Sequence, residues 1–188
     1  GTFAFAEIEL GVGISPLLSD DPGQQSEIAE EMLVSFHAGY SFWWLFYASW
    51  DAYVVPEHYM SVLTESVDNF GNVTPGVYKP GFLNMIDVGL RPRLGRLLFL
   101  TEVGVNSLYV YQQAENEQSE LGGNLRIGAG LRLGHLSIMA TVSSVFASFD
   151  SMAETLEQLG DPDPWVQELA ATRIQETLIP TITLNLWF

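Results

Sequence analysis

The feature that most limits how this chain can fold is an alternation of apolar residues with small or polar ones. The clearest segment is 124–133, where every second residue is apolar: Leu125, Ile127, Ala129, Leu131 and Leu133. The residues between them are Asn, Arg or Gly. A period of two is that of a β-strand, whose successive side chains point to opposite faces. The chain is therefore predicted to be all-β.

The same period recurs in eight segments, at about 4–14, 32–42, 44–54, 82–91, 99–111, 124–133, 136–143 and 177–188. Short connections near Trp43, Gly95 and Gly134 alternate with long ones at 16–31, 57–80, 112–122 and 147–176. Long loops on one rim and tight turns on the other are typical of outer-membrane barrels. We predict a single domain over 1–188, an eight-stranded antiparallel up-and-down transmembrane β-barrel. Its last extracellular loop, 147–176, is predicted to carry a helical insertion.

Composition indicates which face of the sheet meets the surroundings. Charged residues make up only 16% of the chain, whereas hydrophobic residues make up 47% and aromatic residues 12%. A soluble domain usually has about 25% charged residues. The second face is rich in Gly, Ser, Thr and charged residues, too polar for a dry core, so the apolar face is predicted to face lipid.

A candidate interfacial aromatic girdle consists of Trp43, Trp44, Phe46 and Tyr47, with a hydrophobic core patch as the alternative.

A helical membrane protein is the alternative fold. The segment from Met32 to Trp50 has no Asp, Glu, Lys or Arg and is long enough for one bilayer-crossing helix. However, Ser35, His37 and Gly39 fall on alternate positions between apolar residues. That spacing favours a strand.

The inward face of the predicted barrel carries charged side chains. They form a candidate polar network in the lumen: Glu7, Glu9, His37, Asp87, Arg91, Glu102, Arg126 and Arg132. Buried charges persist when they are paired and hydrogen-bonded. Strand direction places four of them low in the barrel, toward the short connections: Glu7, Arg91, Glu102 and Arg132. The other four lie near mid-height: Glu9, His37, Asp87 and Arg126. Because an eight-stranded interior is normally filled, we interpret the network as a polar plug. A proton path or gated channel is the alternative.

The last strand carries a family signature. Apolar residues at every second position end in a terminal aromatic: Ile182, Leu184, Leu186 and Phe188. This segment resembles the assembly signal of bacterial outer-membrane proteins, and the whole plan resembles the OmpA membrane domain and the OmpX and OmpW barrels. The resemblance implies an outer-membrane location, contact with outer-membrane lipid and insertion by the barrel-assembly machinery. It transfers no binding residue.

The last long loop is predicted to form two amphipathic helices. Ser151 with Glu154 matches a capping box, and Asp163 with Pro164 matches the start of a second helix. Their apolar residues form a candidate partner-docking surface: Met152, Leu156, Leu159, Trp165, Val166 and Leu169. The alternative is that the two helices pack on each other as a lid.

Net charge limits the partners. With 23 acidic residues against seven Lys plus Arg, the net charge is −16, which argues against nucleic acid. Most acids fall in the long loops, which would attract a basic partner. Carboxylates could also hold Ca²⁺, but no loop has EF-hand spacing. We expect no metal, no cofactor and, since cysteine is absent, no disulfide.

An enzyme is the third possibility. His135-Leu136-Ser137 resembles the His-x-Ser spacing of outer-membrane lipid A deacylases, but His135 lies at a predicted tight turn and no partner carboxylate is evident. The sequence therefore favours a non-enzymatic outer-membrane barrel with a structural or interaction role, such as an accessory subunit bound through its acidic loops or its lipid-facing wall. A narrow OmpW-like channel for small or apolar solutes is the runner-up.

We take the chain to be already processed, because no signal core precedes Ala4-Phe5-Ala6.

Overall fold

The computed structural model describes residues 6–16, 32–42, 45–57, 60, 66–67, 73–74, 79–110, 121–146, 148–176 and 178–188. Eight long strands dominate them: β1 Ala6–Ser15, β2 Leu33–Phe42, β3 Phe46–Val55, β4 Gly81–Leu90, β5 Leu97–Val110, β6 Leu121–Leu133, β7 Leu136–Val145 and β8 Leu178–Trp187. Two-residue strands also occur, at Ser66–Val67, Val73–Thr74 and Arg93–Leu94.

The eight strands form one closed antiparallel barrel. Each strand pairs with the next along the chain, and β1 pairs with β8 to complete the ring. The predicted eight-stranded up-and-down fold is thereby confirmed. The alternative of a helix over Met32–Trp50 is wrong, because the described residues of that segment lie in β2 and β3.

The strands are tilted, as closure requires. Followed from partner to partner, Ala6 of β1 leads to Leu90 of β4 and on to Pro180 of β8. Ile182 is paired with Ile14, so the line returns to the first strand about ten residues above its start. This stagger sets the height at which each inward side chain lies.

One end of the barrel, which we call the tight-turn end, carries short reversals. Gly95 and Gly134 have φ values of 64° and 70° there. Residues with a Cβ rarely adopt that conformation, so glycine is favoured at both turns. The opposite, long-loop end carries the longer connections.

The two faces of the sheet are inverted relative to a soluble barrel. Ile127 is 62% exposed on the outside, whereas its neighbour Arg126 is 2% exposed inside. The lipid-facing assignment needs this arrangement, because a soluble barrel would bury the apolar row instead.

Two helices form a hairpin between β7 and β8, as predicted. They are α1, Phe149–Leu159, and α2, Pro164–Glu176. The capping box at Ser151 is wrong: Ser148 caps α1, and its side chain accepts a hydrogen bond from the Ser151 amide. Asp163 caps α2 as expected, because its carboxylate accepts the Trp165 amide at 3.0 Å. In the part of the chain described, no helix is long and apolar enough to cross a membrane.

The hairpin is fixed to the long-loop end of the barrel. Met152 of α1 packs so close to Gly123 of β6 that a Cβ there would lie 2.4 Å from the Met152 sulfur. The Asn106 side-chain amide donates to the carbonyl oxygens of Gly123 and Phe146, at 2.7 and 3.1 Å. These contacts hold the chain where it leaves the barrel for α1.

Candidate functional site

The barrel interior is built from the residues between the outward apolar ones. At the tight-turn end, Arg132 donates two hydrogen bonds to the Glu7 carboxylate, at 2.6 and 2.9 Å. Two parallel N–H···O bonds give such a pair a fixed orientation as well as strength. Glu7 and Arg132 therefore link β1 to β6 across the end of the barrel.

A stack of rings and guanidinium groups lies above that pair. The Arg91 guanidinium is 3.6 Å from the Tyr47 ring centroid and 4.2 Å from that of Trp187. Arg132 lies 4.1 Å from the Trp187 ring, and Arg91 also pairs with Glu9. Cations over aromatic faces are stabilised by the ring quadrupole, the more so when they are desolvated.

A hydrogen-bonded chain of four side chains, here called the relay, crosses the middle of the interior. The Tyr47 hydroxyl donates to Glu9 at 2.9 Å, and His37 Nε2 lies 2.7 Å from that hydroxyl. His37 Nδ1 lies 2.9 Å from an Asp51 oxygen. Gly39 makes room for the relay, because a Cβ there would lie 1.8 Å from the Tyr47 oxygen.

A second group of side chains, here called the upper cluster, is centred on Arg126 and shares Asp51 with the relay. The other members are Asp51, Asp87, Glu102 and Asn124. One Arg126 nitrogen lies 2.6 Å from Asp51 and 3.3 Å from Glu102. The other end of the guanidinium is 3.4 Å from Asp87 without hydrogen-bond geometry. Asn124 donates to Asp87.

The cluster is therefore unbalanced in charge. Three carboxylates surround one guanidinium, and among the described residues His37 is the only further basic side chain in contact with them. Removing one partner from such a buried group leaves charge without compensation. Among the described residues, no group of three His, Asp or Glu is arranged to hold a metal ion.

Two layers of buried apolar and aromatic side chains lie toward the two ends of the interior. At the long-loop end the layer consists of Leu33, Tyr53, Val55, Met60, Leu83, Met85 and Ile179. At the tight-turn end it consists of Tyr47, Leu98, Leu100, Met139 and Trp187. Both layers bury their side chains almost completely. Among the described residues, buried side chains therefore occupy both ends of the interior.

A cavity of about 20 Å³ lies between the relay and the upper cluster, with Asn185 and Thr183 in its wall. This volume is enough for about one water molecule. The Asn185 side-chain oxygen has no hydrogen-bond partner among the residues described. A single water there would satisfy a buried polar atom, so the cavity is part of the packing and too small to serve as a pore.

The structure brings all eight predicted lumen residues inside the barrel but changes their grouping. Glu102 was expected low, with Glu7; instead it lies beside Arg126, because the register pairs these two residues directly. Glu9 was expected at mid-height away from Arg91, yet the two are ion-paired.

Three residues that are central to the interior are absent from the predicted network: Tyr47, Asp51 and Trp187. Asp51 and Trp187 both fall on inward positions of the alternation, so the signal for them was present. Tyr47 belongs to the predicted aromatic girdle, whose alternative is a core patch, and it is buried inside. Trp43 and Trp44 lie outside the described residues, while Phe42 and Phe46 stack on the outer wall with centroids 5.6 Å apart.

The His-x-Ser pair is not assembled as a nucleophile and base. Ser137 lies inside the barrel, donating to Glu9 at 3.3 Å and accepting from the Trp187 indole at 2.8 Å. His135 Nδ1 instead lies 3.2 Å from the Trp187 carbonyl oxygen. The two side chains thus have different partners.

The predicted docking residues do not form one surface. On α1, Met152 packs on the barrel, and Leu156 and Leu159 are about two-fifths exposed. On α2, Ala170 is fully buried and Val166 half-buried, whereas Trp165 and Leu169 are exposed. The expected apolar face of α2 is therefore split, with Leu169 on its outer side.

The candidate assembly signal lies on the outside of β8 and just beyond it. Ile182, Leu184, Leu186 and Phe188 are each at least half exposed. The Phe188 amide donates to the Ile8 carbonyl at 2.9 Å, so the backbone of the last residue takes part in closing the barrel.

No protein-family model matches the sequence, and no curated protein matches it. A solved structure does: the N-terminal β-barrel domain of Pseudomonas aeruginosa OprF is similar, with a TM-score of 0.54, 8% sequence identity and 98% of each chain covered. At this identity the likeness shows the fold alone, and at that level the predicted resemblance to small outer-membrane barrels is confirmed. The chain is an eight-stranded barrel of the outer-membrane type, similar in fold to that OprF domain.

Proposed function

We propose that this chain spans the bacterial outer membrane as a sealed, non-enzymatic barrel with a structural or interaction role. The long-loop end and its helical hairpin would face outward, and the tight-turn end would face the periplasm. In this proposal the chain acts as an accessory subunit of a larger outer-membrane assembly. The apolar outer wall supports the membrane-spanning part of this proposal, because only lipid solvates such a surface around a closed sheet.

The observation that carries the proposal is the filled interior. Ion pairs, the relay and two layers of buried side chains fill the described interior, and the cavity between the relay and the upper cluster has room for about one water. An eight-stranded barrel has room for side chains and little else. The outer surfaces therefore remain as the places where the protein can act.

Orientation can be tested with single cysteines, because the chain has none of its own. Glu157→Cys lies on the exposed face of α1, and Arg93→Cys lies exposed at the tight-turn end. A membrane-impermeant maleimide added to intact cells should label Glu157→Cys only, and both variants after the outer membrane is opened. Labelling of Arg93→Cys alone in intact cells would contradict the proposed orientation.

A narrow channel is the second candidate, and the excess of carboxylates around Arg126 favours it. A net negative interior concentrates cations, so a leak would be cation-selective. Planar-bilayer recordings separate the two functions, with a general porin as the positive control. The sealed barrel should give no discrete openings. Discrete openings in the unmodified protein, with a cation selectivity that falls in Glu102→Gln, would establish the channel instead.

A lipid A-modifying enzyme has less support, because His135 and Ser137 have different partners. Purified protein should leave lipid A intact. Hydrolysis that is lost in His135→Ala would overturn the non-enzymatic assignment.

A further inference from the structure

The outer side of α2 carries an apolar ridge without a described cover. Trp165 and Leu169 are four residues apart, so they lie one above the other on one face of the helix. Trp165 is 65% exposed and Leu169 is 47% exposed. Thr172, also exposed, continues the same face by one turn. We call Trp165, Leu169 and Thr172 the α2 ridge.

The ridge is held on a rigid support. Thr155 of α1 and Ala170 of α2 are fully buried, and the two helices pack on each other. The Thr155 hydroxyl donates to the Ser151 carbonyl at 2.8 Å, and the Asp163 cap fixes the start of α2. A preordered surface loses less conformational entropy on binding than a flexible loop does.

The charge around the ridge is mainly negative. From Ser148 to Glu176 the sequence has seven acidic residues and one basic residue, Arg173. Asp163 and Glu168, which stand next to the ridge, are both exposed. Such a surface attracts a cationic partner and repels an acidic one, and the attraction acts on association rate and specificity.

We propose that the α2 ridge docks a basic, amphipathic segment of a partner protein. An apolar side chain of that segment would cover Trp165, and Lys or Arg residues beside it would face Asp163 and Glu168. Exposed tryptophan is among the residues that most often dominate binding energy at interfaces. The inference rests on the proposed function, because the ridge meets a partner outside the cell only if the long-loop end faces outward.

The test uses the full chain in nanodiscs of zwitterionic lipid and three fluorescent peptides of equal length. One alternates Lys with Leu, one replaces Lys by Glu, and one replaces Leu by Ser. Fluorescence anisotropy should show tight binding of the Lys–Leu peptide alone, after subtraction of its binding to empty nanodiscs. Added salt should weaken that binding.

Two variants locate the binding surface. Trp165→Ala should weaken binding of the Lys–Leu peptide by about tenfold or more. Leu156→Ala removes an apolar residue of similar exposure from α1 and should change binding by less than about twofold. Because both positions are exposed, heat-modifiable gel mobility should confirm that both variants fold.

Several results would overturn the docking proposal. They are binding of the Glu–Leu peptide, equal binding of the Lys–Ser and Lys–Leu peptides, and equal losses in Trp165→Ala and Leu156→Ala. Because the peptides bind purified protein, such a result leaves the orientation test unaffected. Labelling of Arg93→Cys alone in intact cells would overturn the proposed orientation, whatever the peptide results are.

Discussion

Arg126 contacts side chains from four other strands inside the barrel. It contacts Asp51, Glu102 and Ser143 through hydrogen bonds and Asp87 through an ion pair. These groups come from four different strands, so one side chain connects β3, β4, β5 and β7 to its own β6. Loss of its charge would leave three carboxylates facing one another inside the barrel.

Arg126→Met should therefore lower the free energy of unfolding by about 3–5 kcal/mol, the cost of breaking a buried ion pair from one side. The deficit should shrink in acid, because a protonated carboxyl needs no counter-charge. Urea titration of the refolded protein, followed by tryptophan fluorescence, measures both effects. Arg93→Met is the control: Arg93 is exposed and donates to the Gly95 carbonyl in its own turn, so its loss should cost less than about 0.5 kcal/mol. Equal losses would mean that the cluster does not stabilise the barrel.

At the scale of elements, helix α1 is capped by a different serine from the one that the sequence motif predicts. Ser148 and Ser151 both have hydroxyls suited to capping, and the motif with Glu154 favours the later one. The structure uses Ser148, and Glu154 instead accepts from Gln158 at 3.0 Å one turn further on. Met152 of α1 packs against Gly123 of β6, a contact with the barrel that a local sequence motif does not contain.

Ser148→Ala should therefore loosen α1 more than Ser151→Ala does. Loss of a serine cap typically costs about 1 kcal/mol, whereas the capping contribution of Ser151 comes from its backbone amide, which alanine keeps. Hydrogen exchange of the amides in the first turn of α1 should speed up severalfold in Ser148→Ala alone. Faster exchange in Ser151→Ala than in Ser148→Ala would mean that Ser151 caps the helix.

Strand positions and facing were predictable because a two-residue period admits only one assignment of faces. Hence Arg126 and Arg132 could be placed inside the barrel from sequence alone. Their partners could not, because partnership depends on the stagger between strands. The same stagger brings Glu102 to the height of Arg126 and places Tyr47 over Arg91. The residue pattern of a single strand does not determine its stagger relative to the neighbouring strands.

At the scale of the whole molecule, the two faces of the last strand have different surroundings. Its inner face contributes Trp187 to the cation–ring stack, while Leu184, Leu186 and, just beyond the strand, Phe188 are exposed on the outside. If the terminal segment is an assembly signal, as its resemblance implies, a change outside should affect recognition during assembly without weakening the closed barrel. A change inside should do the opposite.

Phe188→Ala should reduce insertion into the outer membrane severalfold in cells yet leave refolding into detergent unchanged. The backbone pairing of residue 188 with Ile8 survives the substitution, and the lost ring is 72% exposed, so little packing disappears. Heat-modifiable gel mobility of isolated membranes measures insertion, and the same assay on refolded protein measures closure. Leu133→Ala is the matched control, since Leu133 is 55% exposed on the outer wall near the same rim but lies outside the terminal segment. If both variants insert equally well, the terminal aromatic is a lipid contact and not an assembly signal.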